Sequence, residues 1–241
     1  MPQNRINILS TRDTDEALIQ DALSKGIAID VVSFIRTEPD LTSETLNEIQ
    51  KVSTHPGAVI FTSVNAVEAV VTGLDQRKTN SISWKIFCIG YATKQSVTKI
   101  FGERSIEGVA LNATGLAKVI LDADVSELIF FCGEQRRDEL PGLLKQNKID
   151  VKEIVVYKTT ATPKKVVKKY DGILFFSPSA VKSFFQENKL DDQTILFAIG
   201  NTTASEIKKF SKNKIVISDT PDGEPFLQKA VEFFQTNSIH H

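Results

Sequence analysis

Two stretches decide the fold, GAVIFTSVNAVEAVVTGL at 57–74 and DGILFFSPSAVKSFFQEN at 171–188. Each opens as a short apolar run, reaches a serine (Ser63, Ser177), and turns at once into the spacing of an amphipathic helix. The following unit repeats as well. WKIFCIGYATKQSVTKIF (84–101) is echoed by TILFAIGNTTASEIKKF (194–210), with Gly90 matching Gly200. A strand that feeds a helix start gathers unpaired backbone N–H groups and the positive end of the helix dipole at one point, which favours anions. Four such turns in two related copies point to two lobes that together hold something negatively charged.

Outward from these stretches, strand and helix alternate strictly. INILS (6–10) reads as a strand, and 14–25 as a helix with Leu18, Ile19, Ala22 and Leu23 on one face, stopped by Gly26. IDVVSFIRT (29–37) reads as a strand and 43–52 as a helix. After the first repeat come a strand at 105–112, a helix at 114–122, the strand LIFFCG (128–133), a helix at 138–147 and the strand VKEIVVYKTT (151–160). A basic helix is expected at 163–170, then the second copy, then strand 214–218 and helix 223–234. Apolar strands of four to six residues alternating with helices indicate parallel sheets covered on both faces.

The fold class expected is therefore α/β, with two similar lobes, each a parallel sheet flanked by helices, joined by a two-stranded β linker. AIDVVSFIRT (28–37) also resembles KIDVKEIVVYKT (148–159), each following a strand–helix unit. One lobe then spans 38–151, and the other is assembled from 1–30 and 161–241. The linker strands are 31–37 and 152–160, a short ladder able to act as a hinge.

Composition narrows the function. Net charge is −1, so no global field draws in nucleic acid or an anionic membrane, and an anionic ligand must be gripped by local donors. No apolar run approaches the roughly 20 residues of a membrane span, and MPQNRINILS lacks the pattern of a secretion signal, so the compartment expected is the cytoplasm. Cys88 and Cys132 lie in apolar runs and read as buried thiols, with a disulfide or redox pair as the alternative. His55 precedes a proline, and His240 and His241 end the sequence, so no metal-ligand cluster forms and no cofactor is expected. GxGxxG, GxxxxGK[ST] and GxSxG are all absent.

The candidate binding residues lie where open α/β sheets take ligands, outside the carboxyl ends of the strands. They are Ser63, Val64, Asn65 and Ala66; Gly90, Tyr91, Ala92 and Thr93; Ser177, Pro178, Ser179 and Ala180; and Gly200, Asn201, Thr202 and Thr203. Their hydroxyls either cap helices or face a ligand. Arg12 follows the first strand and Arg136-Arg137 follow Gly133. An arginine there is either solvated or forks onto a carboxylate. Tyr157, on a crossing strand, is either a packed strand tyrosine or a phenol offered as a proton donor. The lysines 164, 165, 168 and 169 read as an exposed helix face.

With these residues in place, the chain resembles the uroporphyrinogen-III synthase family over nearly its whole length. The resemblance rests on 9–12, 60–67, 88–93, Gly133-Glu134 with Arg137 and Leu140, 156–159, 176–181 and 198–204, all in family order. Val64 and Asn201 stand where the family often has proline. The resemblance implies a cyclising hydro-lyase acting on hydroxymethylbilane, a linear tetrapyrrole with eight carboxylates. Water leaves, and uroporphyrinogen III closes with its last ring inverted. It further implies that an azafulvene forms readily, that folding the substrate is the enzyme's main task, that Tyr157 assists the departing hydroxyl, and that neither metal nor redox cofactor takes part. The expected protein is a monomer, with transient contact to the preceding pathway enzyme left open. The competing readings are a non-catalytic bilobal binding protein for a small anionic ligand and a two-domain sugar-nucleotide transferase.

Overall fold

In the computed structural model, which describes residues 5–74 and 82–238, eleven strands and nine helices follow one another among the described residues. In chain order they are β1 (Ile6–Ser10), α1 (Glu16–Ser24), β2 (Ile27–Val31), β3 (Ile35–Pro39), α2 (Ser43–Ser53), β4 (Gly57–Phe61), α3 (Val64–Gly73), β5 (Trp84–Ile89) and α4 (Tyr91–Phe101). After a 3₁₀ turn at Glu103–Ser105 come β6 (Ile106–Ala110), α5 (Ala113–Asp122), β7 (Glu127–Gly133), α6 (Glu139–Gln146) and β8 (Asp150–Ala161). The chain finishes with β9 (Gly172–Phe175), α7 (Pro178–Glu187), β10 (Ile195–Ala198), α8 (Asn201–Ile207), β11 (Ile215–Ile217) and α9 (Gly223–Ser238).

Two compact units result. One comprises the chain up to Arg36 and again from Thr160; the other is Thr37–Thr159. The chain passes from one unit to the other within β3 and within β8, which are neighbours in the same sheet. They run antiparallel, because the Thr162 N–H donates to the Phe34 carbonyl and the Asp40 N–H to the Val156 carbonyl, so residue numbers rise on one strand as they fall on the other.

The first unit's sheet has the order β11-β10-β9-β1-β2, and the second unit's β3-β8-β7-β4-β5-β6; apart from β3 the recorded pairings are parallel. In the second unit β4 to β8 stand third, second, first, fourth, fifth across the sheet from β6 to β8. The first unit shows the same order once β1 and β2 are counted after β11. The units are thus one doubly wound topology, circularly permuted, and the matching of 28–37 with 148–159 is the sequence trace of β2 and β8 occupying the same place. In such sheets the first and fourth strands are neighbours whose connections leave in opposite directions. Those neighbours are β9 and β1 in one unit, and β4 and β7 in the other.

The strand runs are apolar throughout because both sheet faces are covered. Val59 and Phe61 enter one cluster while Ile60 enters another, and Ile8 and Leu9 divide in the same way. Cys88 and Cys132 fall in clusters on opposite faces of the second unit's sheet, so the sheet itself separates them and they remain free thiols. Burial pushes each up to about 11.

Two expectations need correction. The strand at 29–37 is instead two strands, broken where the Ser33 hydroxyl donates to the Ile35 carbonyl and Phe34 is fully buried edge-on against Phe184 at 5.1 Å. The basic stretch 163–170 is not a helix. The buried Asn188 side chain holds it open, accepting from the Val166 N–H at 2.8 Å and donating to the Lys164 carbonyl at 2.7 Å. Its lysines are partly paired, Lys168 with Asp30 and Lys169 with Asp191.

Candidate functional site

Each unit brings candidate residues to the carboxyl ends of its own strands. In the first, β1 ends at Ser10 and the chain stays pinned beside β9, since the Thr11 amide and hydroxyl both donate to the Leu174 carbonyl, at 3.1 and 2.8 Å. The Ser10 hydroxyl donates to the Arg12 carbonyl at 2.7 Å and fixes the bend. Arg12 is exposed, its guanidinium carbon 5.8 Å from the Phe176 ring centroid, with no carboxylate partner among the described residues. Phe176 leads into Ser177, so Arg12 and the 177–180 turn flank the point where the strand order reverses.

The serine turns cap their helices. Ser63 Oγ accepts from the Asn65 amide at 3.2 Å, and Ser177 Oγ from the Ala180 amide at 3.1 Å. The Ala66 amide donates to the Ser63 carbonyl, and Pro178 has no amide hydrogen. The glycine turns differ. Gly90 and Gly200 start α4 and α8 with no side-chain cap. Among the described residues, the amides of Tyr91, Ala92, Thr93, Asn201, Thr202 and Thr203 therefore point out of their helix starts without a protein acceptor. Gly90 itself is bound, its N–H donating to the Ala110 carbonyl at 2.9 Å. The donors that face outward thus concentrate at the glycine turns, while the serine turns spend the Asn65, Ala66 and Ala180 amides on capping.

In the second unit the reversal lies between β4 and β7, and Tyr157 and Ser63 meet beside it. Tyr157 on β8 pairs in register with Gly133, the last residue of β7, and the Glu134 N–H donates to the Tyr157 carbonyl at 3.1 Å. The phenol ring is partly buried against the cluster containing Phe61, Ala66 and Val67. Burial raises its pKa above the ordinary tyrosine value, with hydrogen bonding to the Ser63 side chain working the other way. It is a protonated phenol across the neutral range. Of the arginine pair, Arg136 is held by Glu153 and Asp138, whereas Arg137 is exposed and has no side-chain partner among the described residues.

Tyr91, at the first position of α4, is 60% exposed, while Thr93 is buried. Sequence reading gave no site role to Glu134, whose carboxylate accepts from the Thr159 N–H at 3.3 Å, or to Gly133, whose bare Cα lies under the Tyr157 ring. The position of Gly133 at the end of an apolar run, and the place of Gly133-Glu134 among the residues that carry the family resemblance, were the signals that could have found them. Among the described residues no three His, Cys, Asp or Glu side chains gather as metal ligands would, and no helix is long and apolar enough to cross a membrane.

The family model described as Uroporphyrinogen-III synthase HemD matches residues 16–228. Uroporphyrinogen-III synthase of Saccharomyces cerevisiae (strain ATCC 204508 / S288c) is 29% identical over 210 residues, covering 73% of this chain and 76% of the relative. That of Schizosaccharomyces pombe (strain 972 / ATCC 24843) is 26% identical over 233 residues, covering 87% and 88%. Two solved structures share the fold. A mutant uroporphyrinogen III synthase from the extremely thermophilic bacterium Thermus thermophilus has a TM-score of 0.65 at 12% identity, covering 96% of this chain and 99% of that one. Uroporphyrinogen-III synthetase from Helicobacter pylori 26695 has a TM-score of 0.65 at 18% identity, covering 95% and 99%. The matched span runs from the start of α1 into α9 and takes in every strand-to-helix turn described above except the one at Arg12. A match over this much of the sequence, by a fold whose strand ends carry these donors, settles the family: the chain belongs to the uroporphyrinogen-III synthase family.

Proposed function

We propose that this enzyme of tetrapyrrole and heme biosynthesis closes hydroxymethylbilane to uroporphyrinogen III, eliminating water and inverting the last pyrrole ring, and is therefore a lyase. The observation that carries the reading is the family match over residues 16–228. The chemistry of the strand ends supports it. A substrate with eight carboxylates suits a protein of net charge −1 whose donors are local: outward-facing amides at 91–93 and 201–203, and the exposed guanidinium groups of Arg12 and Arg137, which have no carboxylate partner among the described residues. Val64, Asn65, Ala66, Ser179 and Ala180 line the serine turns, where Ser63 and Ser177 shape the helix starts.

In this reading Tyr157 is the proton donor. The phenol is neutral in the neutral pH range and can hydrogen-bond the departing hydroxyl and deliver a proton as the C–O bond breaks. Positioning does most of the work, since the open-chain intermediate closes by itself and the protein must decide which carbon bonds. We further propose a cytoplasmic monomer. Incubation with freshly made hydroxymethylbilane, with isomers I and III resolved by chromatography, tests the activity. Production of isomer III above the spontaneous level is expected. Tight binding with only isomer I formed would turn the reading into that of a binding protein.

A further inference from the structure

On β8, Ile154 and Val156 are buried in the cluster under α3, while Val155 between them is 39% exposed on the other face. Strict alternation would send Tyr157 the way of Val155. It packs instead against the cluster of Ile154 and Val156. The cause is a register shift: Cys132 pairs with Val155 but Gly133 pairs with Tyr157, so Val156 is skipped. A bulge of this kind re-aims a side chain. The ring then comes down on Gly133. A Cβ built on that glycine would lie 2.5 Å from the Tyr157 Cζ, 2.6 Å from Cε2 and 2.9 Å from the hydroxyl oxygen, closer than real Cβ atoms come. Gly133 does not have a left-handed φ, so close approach alone demands glycine here.

We propose that Gly133 is a positioning residue for the reaction. Its missing side chain, together with the bulge in β8, is what lets the Tyr157 phenol lie across the end of β7 and reach toward Ser63. The inference rests on the reading of Tyr157 as proton donor, but its steric half stands without it.

The test places Gly133→Ala in the chain, in Tyr157→Phe and in Tyr157→Ala, and measures isomer-resolved turnover, KM, melting temperature and the phenolate titration of Tyr157. That titration is taken as the difference from Tyr157→Phe. Gly133→Ala alone should lower kcat tenfold or more with little change in KM, raise the share of isomer I, and bring the phenol back toward the ordinary tyrosine titration. Added to Tyr157→Phe it should leave kcat where that change put it, yet still lower Tm by roughly 2–12 °C, because the ring remains. Added to Tyr157→Ala it should cost no stability. If Gly133→Ala alone fails to fold, recovery in the Tyr157→Ala background supports the contact, and absence of recovery overturns it. An equal loss of kcat with and without the phenol overturns the proposal, as does unchanged titration. If Tyr157→Phe itself leaves turnover and isomer ratio unchanged, the proton-donor reading fails. The titration and stability arms then still decide whether Gly133 positions the ring.

Discussion

Helix α4 has a glycine at each end in the same conformation, Gly90 before it and Gly102 after it, both at φ 83 and ψ 156. This region is almost closed to residues with a Cβ, and occupying it costs of order 1–3 kcal/mol. A Cβ at either position would meet nothing within 4 Å, so no clash adds to the torsional term. Gly90→Ala and Gly102→Ala should therefore lose about the same stability, about 1–3 kcal/mol, which lowers Tm by roughly 2–12 °C in a chain of this size. Their effects on binding should part company. Gly90 sets the aim of the Tyr91, Ala92 and Thr93 amides at the carboxyl ends of the strands, whereas Gly102 sits at the other end of the helix. If relief of strain at Gly90 breaks one amide–carboxylate hydrogen bond, worth about 1.5–3 kcal/mol, product affinity falls roughly ten- to 150-fold. Anaerobic calorimetry with uroporphyrinogen III beside thermal melts reads both quantities. Equal affinity in the two variants would refute the role given to the α4 amides, and no loss of stability in either would refute the torsional argument.

Tyr157→Phe should slow turnover by roughly tenfold to several-hundredfold and leak more isomer I, with Tm nearly unchanged because the ring stays and Ser63 keeps its bond to the Asn65 amide. The phenol's pKa is raised by burial, so the folded state holds this proton more tightly than the unfolded one. Its contribution to stability is present below the ordinary tyrosine value of about 10 and is lost as pH rises through the raised value. A kcat profile whose falling limb below about pH 9 disappears in Tyr157→Phe would contradict this. Both thiols, buried and pushed up to about 11, should be silent to a thiol reagent in the native protein and react together on unfolding; one fast native thiol would show a sheet face opened. Asn201→Pro at the first position of α8 should fold, as α7 does with Pro178 at its start, but should weaken product binding by the loss of one outward-facing amide, and Thr203→Pro should weaken it at least tenfold. Product binding left unchanged by both proline variants, both folded, would remove the α8 amides from the site.

The sequence by itself determined the alternation of strands and helices, the two related copies and the turns that join them. Those signals are local. IFTSVNAV and LFFSPSAV carry an apolar run, a capping serine and a helical stripe within a few residues, and Ser63 and Ser177 do cap α3 and α7. Arg137 was legible as a candidate beside Arg136, but that Arg136 is spoken for depended on Glu153, which comes from another strand. What only the tertiary structure decided depends on partners distant in the chain. Strand order places β1 beside β9 and β4 beside β7, and so chooses which turns flank the reversal points. Asn188 holds 163–170 extended by bonding backbone more than 20 residues away, against the helical spacing of that stretch. Tyr157 faces α3 through a one-residue shift in pairing, which alternation along its own strand cannot foretell because the shift belongs to β7 and β8 together. Gly133 then has its reason to be glycine only where that ring arrives. Periodicity records which face a residue prefers; the neighbour waiting there is set by how the strands are paired.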